Sequence, residues 1–326
     1  MAATLVSIGA EVRAPHRRPP RERRPGVATA PPAAENGPVS DLHEPILRWY
    51  DDHARELPWR GESASAWSVM VSEFMLQQTP VARVLPVHEQ WLATWPTPAD
   101  LAAEPAGEAV RAWGRLGYPR RALRLHAAAT AIVAQHDGVV PADYDELVAL
   151  PGVGDYTAAA IASFAYGRRH VVLDTNVRRV LARAVGGVEF PAPAVTRAER
   201  DVATGLLPEE DATAATWAVA VMELGALVCV ATNPRCEACP LADACAWRAA
   251  GHPAYDGPPR KVQAWAGTDR QCRGRLLAVL RESDGPVHRS RLDAVWADEA
   301  QRLRSLAGLV TDGLVVPGDG ETYALP

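Results

Sequence analysis

From Leu42 onward, apolar residues recur with the 3.6-residue spacing that lines one face of an α-helix. Leu42, Ile46, Trp49 and Tyr50 fall on one such stripe, and Trp67, Met70, Val71 and Phe74 on another. The same pattern predicts further helices over about 81–93, 106–115, 120–135, 143–149, 155–166, 175–185, 196–206 and 211–229, with Pro and Gly at the breaks. Convincing strand alternation is missing before the C-terminal segment, so the main body is expected to be all-α. Residues 1–40 have no periodicity; with seven Pro and six Arg they cannot bury enough surface to offset chain entropy. They are expected to be a disordered basic tail, as an inert leader rather than a DNA tether. A linker is expected over 251–267, followed by a compact unit over 268–326. That unit reads as three short helices, at about 270–282, 289–296 and 299–311, then a hairpin of Leu314–Val316 and Thr322–Leu325. Helices followed by a two-stranded wing predict a small winged-helix-like unit. Its Arg289, Arg291, Arg302 and Arg304 would either meet DNA or belong to a stabilising cap.

Composition narrows the class. A chain of 326 residues, 48 % of them hydrophobic, has room for about two domains. No run of 18 uncharged apolar residues is present, and the N-terminus lacks the continuous apolar stretch of an export signal. Four of the five cysteines crowd between Cys229 and Cys245, which suits a metal site in a reducing compartment. A cytoplasmic, nucleoid-associated monomer without membrane contact is expected. The formal charge is −5, yet positive charge is local: residues 111–124 hold five Arg and no acid, and 168–183 hold five Arg around Asp174. One face of an acidic protein could grip a polyanion. Two solvated helix faces would look the same.

Four motifs carry chemistry. Cys229, Cys236, Cys239 and Cys245 follow C-x6-C-x2-C-x5-C, and four converging thiolates can hold a [4Fe-4S] cubane or one zinc ion. Zinc ribbons usually pair two C-x2-C knuckles, and here there is one, which favours the cluster. Leu150-Pro151-Gly152-Val153-Gly154 lies between two helical stretches, where the amides around Gly152 and Gly154 can hold a DNA phosphate. Glu73 sits in a helix that is apolar nearly all round; desolvation would raise its pKa and keep a proton available near neutrality, as a general acid needs. Asp174 stands before a helix, where amides and nearby Arg would keep it ionised beside a developing cation.

Taken together and in order, SEFMLQQT, WGRLGY, LPGVGDYTA, LDTNVRRVLAR and the four-Cys pattern resemble the helix-hairpin-helix DNA glycosylases of the endonuclease III superfamily, and within it the MutY-type adenine glycosylases. The resemblance covers about residues 42–247. It implies a two-lobed fold: a six-helix module over 66–166 and an iron-sulfur lobe from 41–65 and 167–250, with double-stranded DNA across the cleft. The implied activity is hydrolysis of adenine mispaired with 8-oxoguanine or guanine, in base excision repair. Glu73 would then protonate adenine N7, and Asp174 would stabilise the oxocarbenium-like sugar or its covalent adduct. Tyr156 and Asn176 would position the carboxyl groups and water. From the Gln77-Gln78-Thr79 run, Gln78 would join Tyr118 in wedging into the DNA stack, and Trp59 and Arg60 would form the pocket. Lyase-competent relatives carry Lys where this chain has Tyr156, and its only lysine is Lys261, so a monofunctional glycosylase is implied. Departures from the family are Val219, Thr175, Pro119 and a C-terminal segment too short for a Nudix-like domain. A relative acting on pyrimidine lesions or mismatched thymine, and a non-catalytic iron-sulfur DNA-binding regulator, are the competing readings.

Overall fold

The computed structural model describes residues 42–61, 63–257 and 265–326, and the helices predicted from apolar periodicity are present there. The expected basic tail and Lys261 lie outside the described residues. The helices are α1 (His43–His53), α2 (Ala66–Leu76), α3 (Val81–Thr94), α4 (Pro98–Ala102), α5 (Ala106–Trp113), α6 (Arg120–Gln135), α7 (Tyr144–Ala149) and α8 (Asp155–Tyr166). They continue with α9 (Thr175–Ala184), α10 (Arg197–Gly205), α11 (Asp211–Leu227), α12 (Ala246–Ala249), α13 (Asp269–Arg281), α14 (Arg289–Asp293) and α15 (Glu299–Thr311). Ser65, Thr97, Asp143, Asp174, Thr196, Glu210, Thr268 and Asp298 each accept a hydrogen bond from an amide in the first turn that follows. The short α4 was not anticipated, although Thr97 and Asp100 form a reciprocal capping box around Pro98.

Two apolar cores organise the main body. Met70 and Phe74 of α2, Trp91 of α3, Trp113 of α5, Leu125 and Ile132 of α6 and Ile161 of α8 belong to one. Ile46 and Trp49 of α1, Val177 and Val180 of α9, and Trp217, Val221 and Leu224 of α11 belong to the other. Where they meet, Ala159 and Ala160 of α8 lie against Ala218 of α11. Small side chains let these two helices approach closely, so residues from α2, α8 and α9 face one another across the seam.

The C-terminal segment contains one strand more than expected. β1 (Val287–His288), β2 (Val316–Gly318) and β3 (Thr322–Ala324) form an antiparallel sheet in the order β1-β3-β2, with Val287 and Pro317 both opposite Tyr323. Two residues are too few to show alternation, which hid β1. Nor does this segment keep a core to itself: Cys272, Leu276, Leu280, Leu306 and Leu309 join the same apolar cluster as α2–α8. Arg111 donates to the Ser283 carbonyl at 2.9 Å, and Arg281 to that of Val110 at 2.9 Å. Arg120, from the basic stretch, pairs with Asp312 at 3.2 Å. Arg302 and Arg289 pair with Asp293, and Arg304 with Asp269. Of the two readings of this positive charge, a DNA grip or a stabilising cap, these pairs with the chain's own carboxylates and carbonyls favour the second for the residues named. Among the described residues, no helix is long and apolar enough to cross a membrane.

Candidate active site

Glu73 lies on α2, whose residues from Trp67 to Met75 are all buried, and is itself 5 % exposed. Burial, the largest influence, pushes its carboxyl group up to about 7; the Asp174 charge adds to this, while a hydrogen bond from Tyr156 and the Arg60 charge oppose it. Tyr156, on the second position of α8, is held well above its usual value by burial and by the neighbouring Glu73 and Asp174, so it stays a hydroxyl donor. Asp174 caps α9. Its Oδ1 accepts from the amides of Asn176 at 2.8 Å and Val177 at 2.6 Å, and its Oδ2 from the Asn176 side chain at 2.7 Å. Burial moves Asp174 upward in spite of those donors and the Arg179 charge, which departs from the expected fully favoured anion. Two carboxyl groups and one phenol thus meet at the seam between the cores.

Behind them stands a third carboxylate that sequence reasoning missed. Glu223 on α11 is fully buried. Arg55 grips both its oxygens, at 2.6 and 2.7 Å, and Arg60 reaches it at 2.9 Å. Burial acts to raise Glu223, but the two guanidinium groups outweigh it and leave it below the usual carboxylate range. Arg60 is thereby fixed between Glu223 and Glu73. Trp59 is buried, its ring edge-on to His88 at 4.8 Å.

Gln78 and Tyr118, the expected wedge, are both exposed and both adopt left-handed backbone, with φ of 57° and 47°. For a non-glycine residue that conformation costs of order 1 kcal/mol or more, and it persists only when the surroundings impose it. Gln77 is half-buried. Thr79, from the same run and expected at the DNA contact, is 6 % exposed, and its hydroxyl accepts from Arg121 at 3.0 Å and donates to the Leu116 carbonyl at 3.2 Å. In the hairpin between α7 and α8, Gly152 has φ +79°, and a Cβ there would come within 2.6 Å of the Arg124 Cβ. Gly154 caps α8 and faces open space.

The four cysteines carry no disulfide and line one small cavity with Arg183, Arg235, Trp247 and Arg248. Burial and mutual repulsion push the thiols of Cys236 and Cys239 up, the latter to about 11. A thiol set like this becomes a set of thiolates only with cations placed among them, which suits an iron-sulfur cluster. Arg183 donates to Cys229 Sγ at 3.4 Å and to the Val230 carbonyl at 2.8 Å. Arg179 connects this loop to the carboxyl pair, donating to the carbonyls of Cys229 at 2.7 Å and Gly225 at 2.6 Å and to Asn176 Oδ1 at 2.9 Å. A side chain at Gly225 would meet the Asn176 backbone within 3.0 Å, so this glycine lets α11 pass close to Asp174's partner. Only Gly225 and the paired Arg178-Arg179 hinted at this link in sequence.

Comparison with known proteins places this arrangement. Residues 71–203 match the model of the HhH-GPD superfamily of base excision DNA repair proteins, and residues 229–245 match the iron-sulfur binding domain of endonuclease III. The adenine DNA glycosylase of Mycobacterium tuberculosis H37Rv is 53 % identical over 300 residues, 91 % of this chain and 97 % of the relative. That of Mycolicibacterium smegmatis is 54 % identical over 287 residues, 85 % of this chain and 96 % of the relative. The human adenine DNA glycosylase is 39 % identical over 64 % of this chain and 39 % of its own length. Among solved structures, a thermostable thymine-DNA glycosylase aligns with a TM-score of 0.59 at 24 % identity, over 65 % of this chain and 97 % of that one. A non-covalent endonuclease III–DNA complex gives 0.56 at 24 % identity, over 65 % and 96 %. These two likenesses are of fold.

Proposed function

We propose, for a chain that belongs to the adenine DNA glycosylases of the HhH-GPD superfamily, that it acts as a monofunctional enzyme on double-stranded DNA. It hydrolyses the N-glycosidic bond of adenine paired with 8-oxoguanine or guanine, and works as a monomer in the cytoplasm at the nucleoid. The observation that carries the mechanism is the pairing of a buried carboxyl group at about 7 with a second carboxylate held by three donors. Glu73 hands its proton to N7 of the extruded adenine, so the base departs neutral. Tyr156, donating to Glu73, holds that carboxyl group toward the base. Asp174 steadies the positive charge left on the deoxyribose, Asn176 keeps it in register, and a water molecule completes the abasic site. Trp59 and Arg60 line the base pocket, Gln77 and Gln78 with Tyr118 fill the gap in the stack, and the amides about Gly152 and Gly154 hold backbone phosphate. With tyrosine at position 156 and no lysine among these residues, no amine is at hand to form a Schiff base.

Cys229, Cys236, Cys239 and Cys245 would ligate the [4Fe-4S] cluster, which would cross-link the loop after α11 whose Cys229 carbonyl accepts from Arg179, itself a donor to Asn176. The test is single-turnover release of base from duplexes carrying A opposite 8-oxoG, G, C and T, and T opposite G. Release of adenine opposite 8-oxoG and G, lost in E73Q, is the expected result. Release of thymine alone, or full activity of E73Q, overturns the reading.

A further inference from the structure

Arg121 is a buried cation that no carboxylate answers among the described residues. It is 5 % exposed, and the partners that hold it are carbonyls, a hydroxyl and two rings. Nη1 donates to the carbonyls of Phe74 at 2.8 Å, Met75 at 3.1 Å and Gln77 at 2.6 Å. Nη2 donates to Thr79 Oγ1 at 3.0 Å and the Gly117 carbonyl at 3.1 Å. Its guanidinium carbon lies 5.2 Å from the Trp113 ring and 5.5 Å from the Tyr118 ring. The carbonyls closing α2 provide partial negative charge in place of an acid. Burial brings its pKa down only to about 10, so the charge remains at neutral pH.

A charged group is an expensive way to join carbonyls in a core, so the placement of its contacts matters. They bracket the two strained residues. Gln77 and Thr79 stand on either side of Gln78, while Gly117 precedes Tyr118, whose carbonyl accepts from the Arg121 amide at 3.0 Å. Both flanked side chains point outward from left-handed backbone that would relax without an external hold.

We propose that Arg121 is a positioning residue: one planar fork clamps the loop after α2 to the turn before α6, so that Gln78 and Tyr118 enter the duplex as a single wedge. This rests on the reading that the protein extrudes adenine from duplex DNA. Lysine would keep the charge but lacks the planar fork, so it cannot hold both loops in register.

The test is a double-mutant cycle in the full-length holoenzyme. R121K and Q78A/Y118A are made singly and together. Each is assayed for single-turnover adenine release, and for the fluorescence of 2-aminopurine placed at the target position, which brightens on unstacking. The expected R121K protein keeps the cluster's visible absorbance and its affinity for undamaged duplex, while release and brightening fall roughly tenfold, the scale of a lost positioning contact. In the Q78A/Y118A background, R121K should cost nothing further. An equal loss in both backgrounds, or wild-type release by R121K, overturns the clamp. Should R121K fail to fold, T79V removes one arm of the fork at constant size, and the same cycle applies: coupling to Q78A/Y118A is expected, and additivity overturns the proposal. Wild-type protein that releases no adenine defeats the functional reading instead, so the two failures are distinct.

Discussion

Glu73 and Glu223 are both buried carboxyl groups within the influence of Arg60, yet they are driven in opposite directions. Glu223, with no exposed surface, is held below the ordinary carboxylate range; Glu73, slightly more exposed, is raised to about 7. Burial pushes both upward, and only at Glu223 is that push overcome. Donors decide it: Glu223 receives two guanidinium groups, whereas Glu73 receives one neutral phenol and faces a second acid. The molecule keeps an acid ready by burying Glu73 while absorbing nearby cations into Glu223.

Removing the acid should have the largest effect. E73Q is expected to lower single-turnover excision by about 10²–10⁴-fold, the range for a general acid. It should also raise stability at pH 8. The folded pKa of Glu73 lies above its unfolded value, so its favourable contribution is complete below about pH 4.5 and disappears as pH rises through about 7. Above that pH the wild type carries a penalty of up to about 3 kcal/mol, which E73Q escapes. Urea titrations at pH 5 and pH 8 measure it, and a variant weaker than wild type at both pH values breaks the contrast.

Next comes E223Q, which leaves two guanidinium groups without their anion. Breaking a buried pair costs about 3–5 kcal/mol, so the denaturation midpoint should fall sharply. An unchanged midpoint would mean that Glu223 is not the sink for positive charge. The freed Arg60 should also pull the Glu73 titration to lower pH, read from the excision profile.

In the wild type that profile should be level in mild acid and should decline above about pH 7, approaching tenfold per unit, as the carboxyl proton is lost. A rate still level at pH 9 removes Glu73 from the acid role. The smallest effect is expected far from the seam, at the solvent-facing pair of Asp269 and Arg304. There D269N should leave the melting temperature within replicate error, because water already solvates both partners.

Local rules carried most of the fold. Apolar periodicity, with Pro and Gly at the breaks, placed α1–α3 and α5–α11, and the apolar wrapping of α2 singled out Glu73. What stayed hidden depends on distance along the chain. Arg121 reaches back to Phe74, Glu223 reaches Arg55, and Arg179 reaches Cys229; no spacing rule joins such residues, although Gly225 marks where two backbones nearly touch. The buried partners of the Thr79 hydroxyl, Leu116 and Arg121, were likewise out of reach of any local rule. The merging of the C-terminal helices with the main core was illegible for the same reason.

Trp247 turns the cysteine loop into its own reporter. Its indole stacks 4.7 Å from the Arg183 guanidinium carbon and lines the cavity of the four cysteines. Iron-sulfur chromophores absorb where indoles emit, so a cluster held by these cysteines would quench this ring, and its loss would raise the emission. Trp247 is one of ten tryptophans, so its share of that rise is the difference between the wild type and W247F.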